Sequence, residues 1–362
     1  LTETGLTRTR SVELDVSGES TPVPALVGQP QPDLLLVNDA DLTYAKVRLD
    51  ERSLANLTGH LDQLTDPLAR AVAWTMLYDM ARDAELVADD YAELVLRGIA
   101  TERDSTAISA QLSQARQLAI GFTAPEQRPS VRARLVAGLA RLLKDALPGS
   151  DLQLAVADNL ILAVDSPAGI DMLTGWLEGF DVPFGLPIEA DRRWAILTSL
   201  ARLGAIGEQD IVAEARRDPT ITGAEAAAGV RSALADPDAK RTAWHLATAD
   251  PDVPNGTHLA ICRQFWQYGQ EELLAPYRER YLELCTDIAE RQGVWQNRGH
   301  AASQAALSWL FPTPLADEAF IDQLDAWVAQ HRPSPTVGRV LAEQRDNAVR
   351  AIRGQELTPG QA

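Results

Sequence analysis

The sequence is poor in the residues that most often carry chemistry. Its 362 residues include two cysteines, five histidines and three methionines. Cys262 and Cys285 form no CxxC pair, which argues against a cysteine-rich zinc site or a disulfide framework. We expect two buried thiols in a reducing compartment, and therefore a cytoplasmic protein.

Long apolar runs and clusters of positive charge are also missing. No apolar run approaches the roughly 20 residues that span a bilayer, so we expect no membrane partner. The lysines are Lys46, Lys144 and Lys240, and the formal net charge is -18. Because nucleic-acid binding depends on neutralising phosphates with Lys and Arg, we expect no nucleic-acid partner either.

The familiar catalytic motifs are absent. None of the histidines (His60, His245, His258, His300, His331) begins an HExxH motif. The sequence also lacks a GxSxG nucleophile elbow, a P-loop and a GxGxxG motif. A catalytic zinc needs three protein ligands and an open position, which no local pattern here provides. We therefore assign no catalytic residue, no metal ligand and no cofactor, and we predict that this chain alone is inactive.

The first 48 residues have a strand-like pattern. Residues 7–16 alternate, with Val12, Leu14 and Val16 on one side and polar residues on the other. Residues 21–27 and 34–37 suit two further short strands. So few strands make a poor independent domain, and we interpret residues 1–48 as the end of a β-sandwich and a junction.

From residue 49 to 362 the pattern becomes helical. Apolar residues recur at helical spacing, as in Val131, Leu135, Leu139 and Leu143. Breaks such as Ser166-Pro167 and Asp236-Pro237 combine an N-cap residue with proline at the first helical position. About 300 residues of helix exceed one bundle core, so we predict an irregular HEAT-like α-superhelix of helix pairs, with a compact bundle as the alternative.

Several stretches together resemble the C-terminal helical domain of aminopeptidase N-type zinc peptidases, the gluzincins. The similarity covers about residues 10–355 and is specific as a set rather than in any single piece. The stretches are LLVNDADLTYAKVRLD (35–50), LARAVAW (68–74), DAEL (83–86), DRRWAIL (191–197), DPTITG (218–223) and DPDAKRTAW (236–244).

The resemblance implies a non-catalytic part of a larger hydrolase. In that family the GxMEN and HExxH…E motifs lie upstream, in a catalytic domain that holds the zinc. The implied partners are that missing catalytic domain and peptide substrates. The helical part would cap the cleft, restrict access and hold the distal end of a peptide. The start at Leu1 agrees with a fragment. The alternative is a free-standing helical scaffold that binds a protein or peptide.

A polar stretch after Trp295 supplies the candidate residues for lining the cleft. It interrupts an otherwise apolar helical pattern, and the resemblance implies that the late helices approach the cleft. The bland alternative is a solvated helix N-terminus capped by Asn297. The candidates are Gln296, Asn297, Arg298 and His300.

Overall fold

The structure, a computed structural model, describes residues 6–357 and is built from α-helices in that range, as predicted. The helices of this range are α1 (Glu51–His60), α2 (Pro67–Arg82), α3 (Ala88–Gly98), α4 (Ser105–Gly121), α5 (Arg128–Asp145), α6 (Asp151–Ala163), α7 (Pro167–Glu178), α8 (Ala190–Arg202), α9 (Glu208–Arg217), α10 (Ile221–Ala233), α11 (Pro237–Thr248), α12 (Asn255–Phe265), α13 (Glu271–Ala289), α14 (His300–Trp309), α15 (Glu318–His331) and α16 (Pro335–Glu356). Short 3₁₀ turns lie at Pro24–Leu26, Leu61–Gln63, Ile99–Thr101, Gly293–Gln296 and Thr313–Leu315.

Helix starts follow the predicted capping chemistry. The Ser166 side chain accepts a hydrogen bond from the backbone N–H of Gly169 at 3.2 Å, and α7 then begins with proline. Asp236 accepts from the N–H of Ala239 at 2.8 Å at the start of α11. Each cap satisfies a donor that the first helical turn leaves unpaired, which fixes where the helix begins.

The helices form two concentric layers. Each even-numbered helix from α2 to α16 packs against the even-numbered helices before and after it, and α16 returns to pack against α2. The odd-numbered helices from α3 to α15 cover this ring from outside. Since chain direction reverses at every connection, all inner helices run parallel. The result is a superhelix of helix pairs closed into a ring.

The carboxyl ends of the inner helices converge into a closed base. Gln270, just before α13, donates from Nε2 to the carbonyl oxygens of Arg202 and Ala233, both at 2.9 Å, and so joins the ends of α8 and α10. Gln355 near the end of α16 donates to Gly121 O, the end of α4, at 2.8 Å. The ring is therefore a bowl, whose depth along the inner helices α2 to α10 is about 20–25 Å at 1.5 Å per helical residue.

Most tryptophans pack in the core, as predicted. Trp74, Trp176, Trp194, Trp244, Trp295 and Trp327 are buried, whereas Trp309 is 47% exposed. The indole N–H groups of Trp194, Trp266 and Trp327 donate to Asp218, the Leu310 carbonyl and Thr286. The large rings therefore fasten neighbouring helices through both apolar contact and a hydrogen bond.

The three strands predicted before residue 48 are not formed in the part of the chain that the structure describes. Residues 6–50 run as a largely exposed extended segment with a 3₁₀ turn at Pro24–Leu26. A strand exists only by pairing with a neighbour, and no described residue pairs with this segment in that way. Leu35 N–H donates to Ser53 Oγ at 2.9 Å, and Arg52 pairs with Asp33 at 2.6 Å. Val16, predicted to face a core, is 75% exposed.

The amino ends of the inner helices form the open rim of the bowl, and this rim carries exposed apolar side chains. They lie at the starts of α2 and α10 and in the loops before α6 and α8. Another protein that packed on this rim would remove these apolar side chains from water, which is favourable in proportion to the area covered. The residues are Leu68, Leu147, Phe180, Phe184 and Ile221, which are 46% to 86% exposed.

Within residues 6–357, no helix combines the length and apolarity that crossing a membrane requires.

Candidate functional site

The histidines and cysteines do not assemble a reactive centre. Sγ of Cys262 lies 3.6 Å from Nε2 of His258, one helical turn away on α12, but that Nε2 also lies 3.0 Å from the Ala247 carbonyl. Burial lowers the pKa of His258 to about 4, aided by Arg298, and raises the pKa of Cys262 to about 12. Near pH 7 the thiol stays protonated, so the pair cannot act as a thiolate nucleophile. Cys285 is also free and buried.

The described residues do not fit a zinc ion. Among residues 6–357, no group of three or more His, Cys, Asp or Glu side chains is placed to hold a metal. The zinc that the resemblance implies for a parent enzyme therefore finds no ligand set in this part of the chain.

The predicted cleft residues lie together on the rim, at the amino end of α14. Gln296, Asn297 and His300 are exposed to solvent. The helix begins at His300 with Gly299, not Asn297, in the capping position. These side chains are therefore available to a ligand, and their role stays a prediction.

Arg298 differs from its neighbours, because it holds a loop. Its Nη2 donates to the carbonyl oxygens of Asp250 at 2.8 Å and Val253 at 3.3 Å. Both carbonyls lie between α11 and α12. The Arg298 side chain therefore fixes the rim next to the candidate residues, instead of presenting its whole guanidinium to solvent.

Two of the stretches that carry the family resemblance, residues 191–197 and 218–223, form contacts between successive helices. Arg193 on α8 forms a bidentate salt bridge with Glu214 on α9, in which Nε lies 2.6 Å from Oε1 and Nη2 lies 2.7 Å from Oε2. Trp194 Nε1–H donates to Asp218 at 2.9 Å. Asp218 also accepts from the Thr220 hydroxyl at 2.7 Å. These residues set the geometry of the superhelix and do not line a ligand site.

Arginines gather at the base of the bowl, where inner helices end. They come from α4, the first turns of α5 and the last residue of α8, and two acidic residues accompany them. We call this group the base cluster. It consists of Arg116, Arg128, Arg132, Arg202, Asp165 and Glu271.

Part of the base cluster caps a helix. Arg132 Nε donates to the Ala163 carbonyl at 2.7 Å and lies 3.4 Å from an Asp165 oxygen. Arg202 Nη2 donates to the carbonyl of Val164. Cations at the end of α6 are favourable there, because the unpaired carbonyls carry partial negative charge. These capping contacts use one or two of the three nitrogens of the Arg132 and Arg202 guanidinium groups.

The other two arginines have weaker partners. Arg116 Nε donates to the neutral Asn159 amide oxygen at 3.1 Å. Arg128 lies 3.6 Å from Glu271 and 5.0 Å above the Tyr268 ring, and its buried Nε finds no partner among the described residues. The base cluster thus retains donor capacity that its own acidic residues do not fill.

Burial first, and repulsion between neighbouring arginines second, lower the pKa values of Arg116 and Arg202 in the base cluster. Burial, together with Arg132, lowers the pKa of Arg116 to about 10. Burial, with Arg132 and Arg116, lowers the pKa of Arg202 to about 9. Four cations face two carboxylates in a chain whose net charge is -18. An anionic group such as a carboxylate would relieve this repulsion and match the planar guanidinium geometry.

Lys240 is a further buried cation near the carboxyl ends of the inner helices. Its Nζ donates to the carbonyl oxygens of Ser232 at 2.6 Å and Phe265 at 2.8 Å, which joins α10 to α12. The residue is fully buried, and burial lowers its pKa to about 7. No acidic side chain of the described residues pairs with it.

We expect Lys240 to make the protein more stable as pH rises. Below pH 7 it is charged in both folded and unfolded states; above pH 7 only the unfolded chain keeps the proton, up to its ordinary pKa of 10.5. Stability rises wherever the unfolded state binds more protons. Between pH 7 and 9 the free energy of unfolding of the wild type should gain about 2 kcal/mol relative to Lys240→Met.

Urea unfolding at the two pH values measures this difference. Lys144→Met removes an exposed lysine and should follow the wild type. Parallel pH profiles of the wild type and Lys240→Met would contradict the assignment.

Comparison with known proteins gives two findings. A family model described as ERAP1-like C-terminal domain matches residues 34–350. Aminopeptidase N of Streptomyces lividans is 39% identical over 350 residues, which cover 97% of this chain and 40% of that protein. This chain therefore spans less than half the length of that relative.

Proposed function

Because the chain belongs to the family of ERAP1-like C-terminal domains, we propose that it is the non-catalytic cover of a zinc aminopeptidase. The catalytic part of that enzyme would hold the zinc and remove residues from the amino end of peptides. This chain would cap the catalytic cleft and restrict access to it. The observation that carries the proposal is the closed bowl with an open apolar rim and an arginine-rich base.

The rim is the surface that we propose to dock against the catalytic part. It carries the exposed Phe180 and Phe184, which an isolated chain leaves in water. Arg8, in the extended segment, pairs with Asp39 at 2.5 Å and lies 3.4 Å from Asp66, the cap of α2 at the same rim. We propose that residues 1–48 form strands only when the rest of a β-sandwich supplies pairing partners.

Enclosure would change the chemistry in the cleft. A bowl laid over the opening admits unfolded peptides and excludes folded proteins. It also removes water, which strengthens electrostatic interactions around a zinc-bound group. This chain would contribute to catalysis through exclusion and positioning. Two free buried thiols fit a reducing compartment, so we propose a cytoplasmic location.

The base cluster would hold the carboxyl end of the peptide. A depth of about 20–25 Å corresponds to about seven residues of extended chain. Peptides longer than this could reach from the rim to Arg116, whereas dipeptides could not. On the rim, Gln296, Asn297 and His300 would contact the peptide as it enters the bowl. This role is proposed from their exposure to solvent.

A charge-neutral variant of the base cluster tests this function. In the full-length enzyme, Arg116→Met should raise KM about tenfold for a peptide of about ten residues, since a charge-assisted hydrogen bond contributes about 1.5–3 kcal/mol. The same substitution should leave KM for a dipeptide reporter unchanged. Amidating the long peptide should reproduce the loss in the wild type.

The matched control is Arg241→Met, which alters an exposed arginine on the outer helix α11. This substitution should leave KM unchanged for both the long peptide and the dipeptide reporter. Equal KM values for the free acid and the amide in the wild type would overturn the carboxylate role.

A further inference from the structure

A cavity lies between α10, α11 and α12, and none of its lining residues belongs to the base cluster. It has a volume of about 440 Å³, and its floor is formed by α10, α11, α12 and the loop between α11 and α12, with the start of α9 at one end. Pockets of this size take small molecules or one or two side chains. We call it the α11 cleft. Its floor includes Ala228, Ala243, Leu246, Val253 and Ile261.

The floor is built from alanine and aliphatic side chains and is therefore apolar. Ala243 and Ile261 are buried, with 4% and 1% exposure, so they form a firm surface. Ala228 on α10 is only partly covered. A ligand that lies on this floor removes apolar surface from water, which is favourable in proportion to the area covered.

The two ends of the α11 cleft differ in charge. At one end Glu208 is neutralised by Arg231, whose Nε lies 3.0 Å from both carboxylate oxygens and whose Nη2 lies 2.7 Å from Oε1. At the other end are Asp250 and Asp252. Among residues 6–357, no Lys, Arg or His nitrogen lies within ion-pair distance of either of these two carboxylates. The Asp250 carboxylate accepts only the backbone N–H of Asp252, at 2.8 Å.

We propose that the α11 cleft binds a ligand with an apolar body and a single ammonium group. The body would lie on the floor between α10 and α11. The ammonium would lie at the end formed by Asp250 and Asp252, whose carboxylates have no ion-pair partner among residues 6–357, because the nearby Arg298 donates to backbone carbonyls of this loop instead. The overall charge of -18 adds a long-range attraction for such a cation and repels a carboxylate.

This chemistry has two natural sources: a free hydrophobic amine, or the amino terminus of a peptide whose first side chain is apolar. Both present an ammonium group next to an apolar group. The ligand class follows from the α11 cleft alone and does not depend on a catalytic partner.

The test is a ligand-observed NMR titration of the 362-residue chain at pH 7 with 2-phenylethylamine. We expect a Kd on the order of 1 mM, as for a ligand of about nine heavy atoms. Asp250→Asn and Asp252→Asn should each weaken binding at least fivefold, and Ala228→Phe, which fills the α11 cleft, should abolish it. Uncharged 2-phenylethanol should bind at least tenfold more weakly.

The matched control is Asp238→Asn, which neutralises an exposed carboxylate on α11 outside the cleft and should leave Kd within twofold. Phenylalanyl-alanine amide distinguishes the sources: tighter binding than 2-phenylethylamine supports a peptide amino terminus, and weaker binding supports a free amine. The proposal is overturned if neither amine binds at 10 mM, if the alcohol binds equally well, or if both Asn variants keep the wild-type Kd.

Discussion

Replacing Asp83 with asparagine should open the ring of inner helices and lower the free energy of unfolding by about 2–3 kcal/mol, slightly less than for a fully buried pair. Asp83 ends α2, and its carboxylate binds three cations. Lys46 and Arg48 come from the extended segment, and Arg350 comes from α16. This single carboxylate therefore joins the first and last parts of the fold.

The substitution keeps the size of the side chain and removes its charge. With Asp83 neutral, three cations would lie around a polar but uncharged group whose side chain is only 15% exposed. Their repulsion would act directly on the contact between α16 and α2. We expect local opening of α16 first, because this helix packs at the closure of the ring.

Hydrogen exchange and urea unfolding together measure this effect. Amides of α16 should lose protection more than those of α6, which lies inside the helical array. Asp346→Asn is the control, because it removes an exposed carboxylate that pairs with Arg350 at 2.8 Å from within α16. It should cost less than about 0.5 kcal/mol, as is usual for a surface pair. Unchanged protection of α16 in Asp83→Asn would contradict the role assigned to Asp83.

Acid should act on the same contact. Burial opposes ionisation of Asp83, but Lys46, Arg350 and Arg48 outweigh it and lower the pKa of this carboxyl. A carboxyl with a lowered folded-state pKa stabilises the fold above its unfolded value, near pH 3.9, and this stabilisation is lost as the pH falls through the folded pKa. In Asp83→Asn, the free energy of unfolding should therefore fall less steeply than in the wild type as the pH is lowered below about 3.9.

Gly223→Ala should destabilise the fold by about 3 kcal/mol, although the same change usually stabilises a helix. Gly223 lies in the first turn of α10. A Cβ there would lie 2.3 Å from the carbonyl oxygen of Asp218 and 2.6 Å from its carboxylate. That backbone cannot move aside without breaking the Trp194 and Thr220 contacts of Asp218.

Gly338→Ala is the matched control. This glycine also lies in a first turn, that of α16, and a Cβ there meets no atom within 4 Å. It should raise stability by about 0.5–1 kcal/mol through its helix propensity. Thermal and urea unfolding measure both variants. Equal changes in the free energy of unfolding for Gly223→Ala and Gly338→Ala would show that the contact with Asp218 does not destabilise the variant.

The local features of the fold were predictable because they depend on neighbours in sequence. The caps at Ser166 and Asp236 need only residues within one helical turn. The stripe on α5 needs only helical spacing, and its Val131, Leu135 and Leu139 are buried as predicted. Such signals establish helices and their starts.

The remaining features depend on pairing across the chain. Asp83 and Arg350 are 267 positions apart, and no periodic pattern connects them. The four arginines of the base cluster come from three separate helices, so no run of basic residues in the sequence indicates the cluster. The strands predicted before residue 48 are not formed within residues 6–357, because an alternating pattern indicates two faces, but a strand also requires a pairing partner. His258 and Cys262 lie four residues apart, and this spacing in a predicted helix was sufficient to predict that their side chains are neighbours.

The proposed cover is tested most directly by the rate at which a full-length aminopeptidase containing this chain, as proposed above, trims a tail anchored to a folded protein. The substrates are one peptide used free and the same peptide fused to a stable small domain, with tails of 5 or 25 residues. A bowl about 20–25 Å deep leaves no room for the domain, so kcat/KM should fall at least tenfold for the 5-residue tail relative to the free peptide. Recovery towards the free value is expected for the 25-residue tail. Equal kcat/KM for the free peptide and the 5-residue tail would contradict the account, because a covered cleft cannot treat them alike.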